Sequence, residues 1–256
     1  MQLNFVYSII FFIFGLLIGS FLNVCIYRIP IGKTIIYGRS YCPHCNSLIP
    51  WYLNIPLLSF IALKGRCKNC KGPISFRYPA VELLTGLIFL IVYLYYGLSF
   101  ECLFVISLFT LLIIISFIDF DHQIIPDRLV LFLLVISIFN CIYRCIYLND
   151  NFLYYLGGAF AASGLLFILG LLIKDSIGGG DIKLMAAAGV FLGFKLILLA
   201  LFIGALYAAV YSAFIVLFKK ANFKTVIPFG PFLSLGIATA VLFGESIFSL
   251  YFSMFI

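Results

Sequence analysis

Charged side chains are scarce in this 256-residue sequence: Asp, Glu, Lys and Arg together make up 10% of it, against about 25% in a soluble domain. Only nine residues are acidic, and the sequence has no low-complexity tract and no sustained repeat. Apolar residues make up 65%, which is more than a soluble chain of this size can remove from water. The composition excludes a soluble domain, a disordered chain and a fibrous repeat, and predicts an all-α polytopic membrane protein.

Long apolar runs indicate the number of membrane crossings, because a transmembrane helix needs roughly 20 mostly apolar residues. Eight runs cover residues 5–27, 80–100, 102–118, 129–148, 152–173, 184–194, 196–218 and 228–250. The sixth run is short and stands alone only if residues 193–195 form a turn. We therefore predict about eight transmembrane helices. The first is expected to be a membrane helix and not a cleaved signal peptide, because no Lys or Arg precedes it.

The net charge of +7 follows membrane orientation, because cytoplasmic loops carry most of the basic residues of a membrane protein. With the N-terminus outside, 14 of the 16 Lys and Arg residues fall in the inside segments, which are 28–79, 119–128, 174–183 and 219–227. Arg144 and Lys195 are the two exceptions. The predicted regions are a first transmembrane helix, a cytoplasmic loop and a transmembrane core, over 1–27, 28–79 and 80–256. No nucleic-acid partner is expected.

Two C-x-x-C pairs lie 21 residues apart in the polar segment 28–79. The four cysteines are Cys42, Cys45, Cys67 and Cys70. Four thiolates on two tight turns suit a tetrahedral Zn²⁺ ion, and disulfides do not persist in the cytoplasm. We predict a small zinc-ribbon-like loop with a structural, closed metal site. Two alternatives stay open: free or redox-active cysteines, and His44 in place of one cysteine ligand.

Acidic side chains at membrane ends are functional candidates, because burying them is costly. Asp119 directly follows the apolar run 102–118, in a D-x-D-H motif that also contains Asp121 and His122. His122 lies three residues after Asp119, so the two side chains are able to share a helix face and form a hydrogen bond. Asp127 follows a proline at a predicted helix start, where an acid complements the positive helix end. That structural role is sufficient for Asp127.

Asp181 follows three glycines, 178–180, at the start of another predicted helix. Glycine permits unusual backbone angles and the close approach of another chain. A phosphate-binding loop does not fit, because no strand precedes the glycines and the Lys-Ser/Thr ending is absent. The glycine-x-glycine-Asp pattern instead resembles that of intramembrane aspartyl proteases. Asp175, a few residues upstream, lies at the same predicted membrane end.

Two carboxylates that meet from different helices form an acid–base pair, because like charges close together do not both ionise and one keeps a proton. The ionised member takes a proton from water, which attacks a peptide carbonyl, and the protonated member polarises that carbonyl. The residues alone leave two other roles open. In one, each acid caps a helix or pairs with Lys183 or Arg128; in the other, the acids line an ion pathway.

Six motifs in one order resemble the type IV prepilin peptidase family, whose members are bifunctional leader peptidases and N-methyltransferases. The motifs lie at residues 19–30, 42–70, 77–86, 119–127, 178–184 and 227–232. They include G-S-F-L-N-V, the paired C-x-x-C loop, R-Y-P-A-V-E, D-x-D-H-x-x-I-P-D, G-x-G-D-x-K-L and I-P-F-G-P-F. The resemblance covers nearly the whole chain.

By position in these motifs, the resemblance implies that Asp119 and Asp181 form the protease dyad. It also implies prepilin or pseudopilin substrates with a short basic leader, which is cut after a glycine at the cytoplasmic face of the bacterial inner membrane. The new N-terminal residue is then methylated with S-adenosylmethionine, whose site the sequence does not locate. Glu82 is a candidate for holding a substrate amine, and the alternative is pairing with Arg77 or Arg28.

Three other hypotheses remain. One is a peptidase without methyl transfer. Another is a proton-coupled membrane transporter that uses Asp119 and Asp181 as a relay, although the acids cluster at one predicted membrane end. The third is a zinc-ribbon scaffold without chemistry, which gives no reason for a glycine-led acid beside a D-x-D-H turn.

Overall fold

The computed structural model describes residues 2–173, 177–219 and 227–254. Over these residues the chain is helical apart from turns and two isolated bridges in the cysteine loop. The helices are α1 (Gln2–Arg28), α2 (Leu58–Ala62), α3 (Arg77–Tyr96), α4 (Phe100–His122), α5 (Asp127–Tyr147), α6 (Phe152–Leu172), α7 (Gly179–Leu192), α8 (Phe194–Lys219) and α9 (Gly230–Ser253). A short 3₁₀ turn, Trp51–Asn54, precedes α2. The predicted all-α class is confirmed.

Seven of the described helices are long and apolar enough to cross a membrane, judged by length and composition. They are α1, α3, α4, α5, α6, α8 and α9. The sixth predicted segment forms α7, which has only 14 residues and is therefore about 21 Å long, shorter than the roughly 30 Å hydrocarbon core. The predicted turn after it is present: Gly193 has a φ of 78° and separates α7 from α8.

The chain forms two compact units, Met1–Ile114 and Ile115–Ile256. In the first unit, α1 packs along α3. The contact is close because glycine removes the side chain where the helices meet: a Cβ on Gly19 would lie 2.7 Å from the Cα of Glu82, and a Cβ on Gly15 would lie 2.8 Å from the Cα of Gly86. The small-x-x-x-small step at these two glycines is thus a helix-packing surface. The predicted three-region division remains a prediction.

In the second unit, α7 packs against α5, α6 and α8, and α8 packs against α9. The contact between α6 and α7 is made at Gly158 and Gly189, where a Cβ on either residue would overlap backbone atoms of the other helix. Buried apolar residues on α7, including Leu184 and Met185, complete this core. The short helix that begins with the glycine-led acid is therefore enclosed by longer helices.

Arg144, one of the two basic residues at a predicted outer position, has a local explanation. Its Nε lies 2.9 Å from Oδ2 of Asp150 and also donates to the Tyr155 hydroxyl, which in turn donates to the same carboxylate oxygen at 2.6 Å. These bonds to Tyr155 and Arg144 lower the pKa of Asp150. Asp150 is therefore ionised at neutral pH and compensates the charge of Arg144. Arg144 is thus only a weak exception to the rule that basic residues collect on the cytoplasmic side.

Candidate functional site

Asp119 lies in the last turn of α4 and is buried, with 6% of its surface exposed. Its Oδ2 accepts a hydrogen bond of 2.9 Å from the backbone N–H of Gly230. Gly230 begins α9, and the following proline suits the start of a helix. The positive end of a helix favours a carboxylate, so α9 stabilises the charged form of this side chain.

The approach of Asp119 to α9 requires glycine at position 230. A Cβ on Gly230 would lie 2.8 Å from Oδ2 of Asp119 and 3.2 Å from Cδ1 of Ile125. Any larger residue would displace the carboxylate or the isoleucine. The loop that follows α4 and the start of α9 therefore fix the position of the acid together.

Asp181 lies in the first turn of α7 and is also buried, with 8% of its surface exposed. The backbone N–H of Gly178 hydrogen-bonds to its carboxyl group. The other oxygen, Oδ1, is buried and has no hydrogen-bond partner among the described residues. Buried polar atoms are nearly always paired in proteins, so an unpaired carboxylate oxygen marks a position for a ligand or a water molecule.

The structure brings Asp119 and Asp181 together in the second unit. The charge of Asp119 acts on the Asp181 carboxyl group. The side chain of Ile125 lies beside the backbone of both Gly180 and Gly230. A Cβ on Gly180 would lie 2.8 Å from Cβ of Ile125, and a Cβ on Gly230 would lie 3.2 Å from its Cδ1. One isoleucine thus lies against both the glycine before Asp181 and the glycine that donates to Asp119.

The other acids of the two motifs lie elsewhere. Asp127 is exposed and forms an ion pair of 2.7 Å with Lys183. Lys183 therefore binds the acid at the start of α5, and the pairing with Asp181 that the sequence left open is not made. Asp121 and His122 are exposed. Asp175 lies outside the described residues.

The two cysteine pairs form matching turns. In the first turn, Cys42 N–H donates to the Ser47 carbonyl and Asn46 N–H donates to the Cys42 carbonyl. In the second, Cys67 and Lys71 make the equivalent bonds, with Gly72 as the first acceptor. Asn46 and Lys71 both have positive φ, 55° and 59°. We call residues 41–48 and 66–73 the two knuckles.

The knuckles bring the four sulfur atoms together. One Sγ from each cysteine lies within 4.8 Å of the others, and Cys42 and Cys70 are 3.9 Å apart. A tetrahedral zinc ion with bonds of about 2.3 Å separates its sulfur ligands by about 3.8 Å, so the donors fit this ion. Backbone N–H groups of Cys70 and Asn69 lower the pKa of the Cys67 thiol to about 6, whereas the pKa of the Cys70 thiol is raised to about 11, so the four thiols do not ionise alike without a metal.

Glu82 lies in α3 and is buried, with 8% of its surface exposed. Its Oε2 accepts a hydrogen bond of 2.9 Å from the backbone N–H of Leu57, and the Ser20 hydroxyl also bonds to the carboxylate. The Arg28 guanidinium donates instead to carbonyls of the cysteine loop, including those of Tyr37 and Gly38. Pairing of Glu82 with Arg28 is therefore not observed.

A cavity of about 670 Å³ lies beside Glu82 in the first unit. It is lined by the end of α1, by parts of both knuckles and by the first turns of α3. Its size is within the roughly 300–1,000 Å³ of pockets that hold small molecules. The buried carboxylate and the aromatic residues of the lining fit a ligand that has a cationic group and a ring system, as S-adenosylmethionine does.

Two functional groups escaped the sequence analysis because both are backbone N–H groups. Gly230 N–H binds Asp119 from 111 residues away, and Leu57 N–H binds Glu82. The Gly-Pro step at residues 230–231 does signal a helix start, and helix starts bind anions. That signal identifies a donor but does not identify its acceptor.

Two family models match most of the chain. The family described as Bacterial Peptidase A24 N-terminal domain matches residues 13–96, and the Type IV leader peptidase family matches residues 106–213. No solved structure matches the chain.

Three relatives named Prepilin leader peptidase/N-methyltransferase match nearly full length. The protein from Bacillus subtilis is 38% identical over 96% of this chain and 98% of its own length. That from Aeromonas hydrophila is 35% identical over 99% and 97%, and that from Legionella pneumophila is 34% identical over 93% and 92%. On these matches, the chain belongs to the prepilin leader peptidase/N-methyltransferase family.

Proposed function

We propose that this protein removes the leader from type IV prepilins or pseudopilins with Asp119 and Asp181 as an aspartate dyad, and that it then methylates the new N-terminus. One observation carries the proposal: two buried carboxyl groups from separate helices interact electrostatically, and one carboxylate oxygen, Oδ1 of Asp181, is unpaired among the described residues. The names of the relatives support the substrate class.

The hydrogen bonds of the two acids suggest their roles. Gly230 N–H and the positive end of α9 stabilise negative charge on Asp119, which makes this residue the general base. Asp181 then holds the shared proton. The two side chains titrate as a pair, because the charge on one opposes ionisation of the other.

The reaction follows from that proton distribution. Asp119 takes a proton from a water molecule as the water oxygen attacks the scissile carbonyl carbon. Asp181 donates a hydrogen bond to the carbonyl oxygen and stabilises the charge that develops there. When the C–N bond breaks, the electron pair stays on nitrogen and a proton from the pair neutralises the leaving amine, which becomes the new N-terminus.

An apolar groove beside the dyad suits the apolar part of a membrane-bound substrate. The groove has a volume of about 560 Å³ and lies among α6, α8 and the start of α9. Ile177, four residues before Asp181, and Phe229, directly before Gly230, line it. We propose that the substrate residues after the scissile bond bind here, with the basic leader on the cytoplasmic side.

The orientation of the protein is part of the proposal. The distribution of Lys and Arg favours an outside N-terminus and a cytoplasmic loop 28–79 in the bacterial inner membrane. The seven described helices that are long and apolar enough to cross a membrane support a multi-pass protein. Under this orientation, both acids and the cysteine loop face the compartment where the leader is made.

Methyl transfer is assigned to the same protein. When bound, S-adenosylmethionine would supply an electrophilic methyl group, carried on a cationic sulfur, for the new N-terminal amine. Cys42, Cys45, Cys67 and Cys70 would hold a structural Zn²⁺ ion, which would keep the two knuckles together.

The function is tested with the purified protein in lipid nanodiscs and a prepilin with a basic leader. The proposal predicts cleavage after the leader glycine, and transfer of labelled methyl groups from S-adenosylmethionine to the cleaved product alone. Cleavage without methyl transfer would show that the protein is a peptidase without methyltransferase activity. A protein that does not cleave prepilin but moves protons across liposome membranes would be a transporter, and the proposal would be wrong.

A further inference from the structure

The short helix α2 lies beside the start of the long apolar helix α3. The backbone N–H of Leu57, directly before α2, donates to Oε2 of Glu82 at 2.9 Å, and Glu82 lies in the second turn of α3. The ring of Phe60, inside α2, lies 6.0 Å from the ring of Phe76, which directly precedes α3. A helix rises 1.5 Å per residue, so Glu82 is only about 8 Å from the start of α3. The α2 helix therefore lies at the level where α3 enters the membrane.

The two sides of α2 have different surroundings. Ser59 and Phe60 line the cavity of the first unit. Leu58 and Ile61 are three residues apart and share the other side of the helix, where they are 65% and 69% exposed. The neighbouring Phe76 is 74% exposed. We call Leu58, Ile61 and Phe76 the outer patch, which presents three large apolar side chains at membrane level.

Basic residues surround the outer patch. The segment 28–79 contains eight Lys and Arg residues and no acidic residue. Lys64 and Arg66 follow α2 closely and are exposed, and Arg77 directly follows Phe76. Apolar side chains next to basic ones are typical of a segment that lies in the interface of an anionic bilayer, with its apolar groups among the upper acyl chains and its basic groups at the headgroups.

Two other surroundings fit the outer patch less well. A prepilin leader is basic, so a segment with eight basic residues and no acidic residue repels it. Water does not stabilise α2, because a helix of five residues is marginal in water by itself and gains nothing from exposed apolar side chains. An anionic bilayer suits both the charge of the segment and the apolar side chains.

We propose that α2 is an interfacial anchor: the outer patch inserts among the acyl chains beside α3, and Lys64 and Arg66 bind the headgroups of anionic phospholipids. Arg66 also begins the second knuckle, and the backbone N–H of Ile74 donates to the carbonyl of Gly65 between α2 and that knuckle. The lipid contact therefore holds the cysteine loop against the membrane surface. It is independent of the proposed peptidase and methyl-transfer activities, because it follows from helix position, exposure and charge.

The test is hydrogen–deuterium exchange of the full-length protein in nanodiscs, read by mass spectrometry over peptides that cover residues 57–66. Nanodiscs of phosphatidylcholine alone are compared with nanodiscs of phosphatidylcholine and phosphatidylglycerol in equal parts. One basic residue near an anionic surface contributes about fivefold to the attraction, so exchange is expected to be about fivefold slower, or more, in the anionic nanodiscs. High salt should reduce this difference because it screens the charges. Equal exchange in both kinds of nanodisc overturns the proposal.

Two variants separate the charged part of the anchor from its apolar part. The double variant Lys64→Gln/Arg66→Gln is expected to lose the slower exchange in anionic nanodiscs and to behave like the parent in phosphatidylcholine, which a purely structural role of the two residues does not predict. Ile61→Ser is expected to speed exchange on the order of tenfold in anionic nanodiscs, because it removes apolar contact with lipid. Parent-like exchange in both variants overturns the proposal.

Ile36→Ser is the matched control. Ile36 is 79% exposed in the same segment but lies outside the outer patch. Its replacement should leave exchange over residues 57–66 at the parent rate in both kinds of nanodisc. An effect as large as that of Ile61→Ser would show that the outer patch has no special role and would overturn the proposal.

A second measurement uses the parent alone, in case Ile61→Ser does not fold. A phosphatidylglycerol with a diazirine group in the upper part of one acyl chain is activated by light, and the labelled peptides are mapped. Label on residues 57–66 supports the anchor. Label confined to the long apolar helices overturns it. Protection of residues 57–66 that appears only at a high ratio of protein to nanodisc, without label, shows that a second copy of the chain covers the outer patch and overturns the assignment to lipid.

Discussion

The backbone N–H of Gly230 donates to Oδ2 of Asp119 over 2.9 Å, and no side chain intervenes at the start of α9. The contact joins two motifs that are 111 residues apart in the chain. It holds a buried carboxylate at the positive end of a helix, where negative charge is stabilised. The position of the Asp119 carboxylate thus depends on a residue that contributes only its backbone.

Gly230→Ala is expected to impair cleavage without preventing insertion into the membrane. The added Cβ would lie 2.8 Å from Oδ2 of Asp119, so the carboxylate would move and its hydrogen bond would lengthen. Displacement of a catalytic group by about 1 Å costs on the order of a hundredfold in rate. The measurement is the rate of leader cleavage at equal protein levels. An unchanged rate would show that the contact does not position the base.

Gly180→Ala and Gly179→Ala form a matched pair beside Asp181. A Cβ on Gly180 would lie 2.8 Å from the Cβ of Ile125, whereas a Cβ on Gly179 would meet no atom within 4 Å. We expect the first variant to lose on the order of tenfold or more in cleavage rate, because Ile125 lies against the glycine before Asp181 and against Gly230, the glycine that donates to Asp119. The second should cleave at a rate near that of the parent. Equal effects of both would contradict the role of Ile125.

The cysteine site is expected to hold one zinc ion per chain. Cys42→Ser removes a buried ligand, so the purified variant should have less metal and its loop 28–79 should be cut faster by protease. Cys145→Ser, in α5 and outside the knuckles, is the control and should keep its metal. Metal content is measured by elemental mass spectrometry of the purified proteins. A parent that carries no metal, and whose protease sensitivity does not change with a chelator, would refute the site.

Cleavage is expected to have a bell-shaped dependence on pH. The reaction needs one ionised and one protonated acid, so the rate falls at low pH, when both acids are protonated, and at high pH, when both are ionised. The falls in rate at low and at high pH reflect titration of the two acids as a pair, and neither fall is assigned to one residue. The profile is measured with a short leader peptide whose charge is constant over the range used. A rate that rises with pH to a plateau would indicate a single base.

Much of the fold follows from local sequence. The apolar runs predict the long helices because each run must meet lipid or another helix, and the runs coincide with the structure to within a few residues. The short α7 is the exception. Its apolar run was ambiguous, and it is stabilised by contacts with longer helices, such as the one between Gly158 and Gly189, which periodicity does not encode.

The site was predictable where residue type and spacing carry the chemistry. The C-x-x-C spacing predicted the sulfur cluster, and the position of Asp119 and Asp181 at membrane ends made them candidates. Spacing did not predict the partners, which come from distant segments: Gly230 for Asp119, and Asp127 for Lys183. Such pairings depend on how helices pack in three dimensions, and no local rule specifies them.

The central claim is that Asp119 and Asp181 together cut the leader, and the most direct measurement is prepilin cleavage in membranes by Asp119→Asn and Asp181→Asn. Asparagine keeps the size of the side chain but is neither a general base nor a general acid. Asp127→Asn, which removes an exposed ion-pair partner, is the control, since exposed pairs contribute about 1 kcal/mol or less. The account predicts loss of cleavage in both dyad variants at normal protein levels, and a rate near that of the parent in the control. Cleavage near the parent rate by either dyad variant would contradict it.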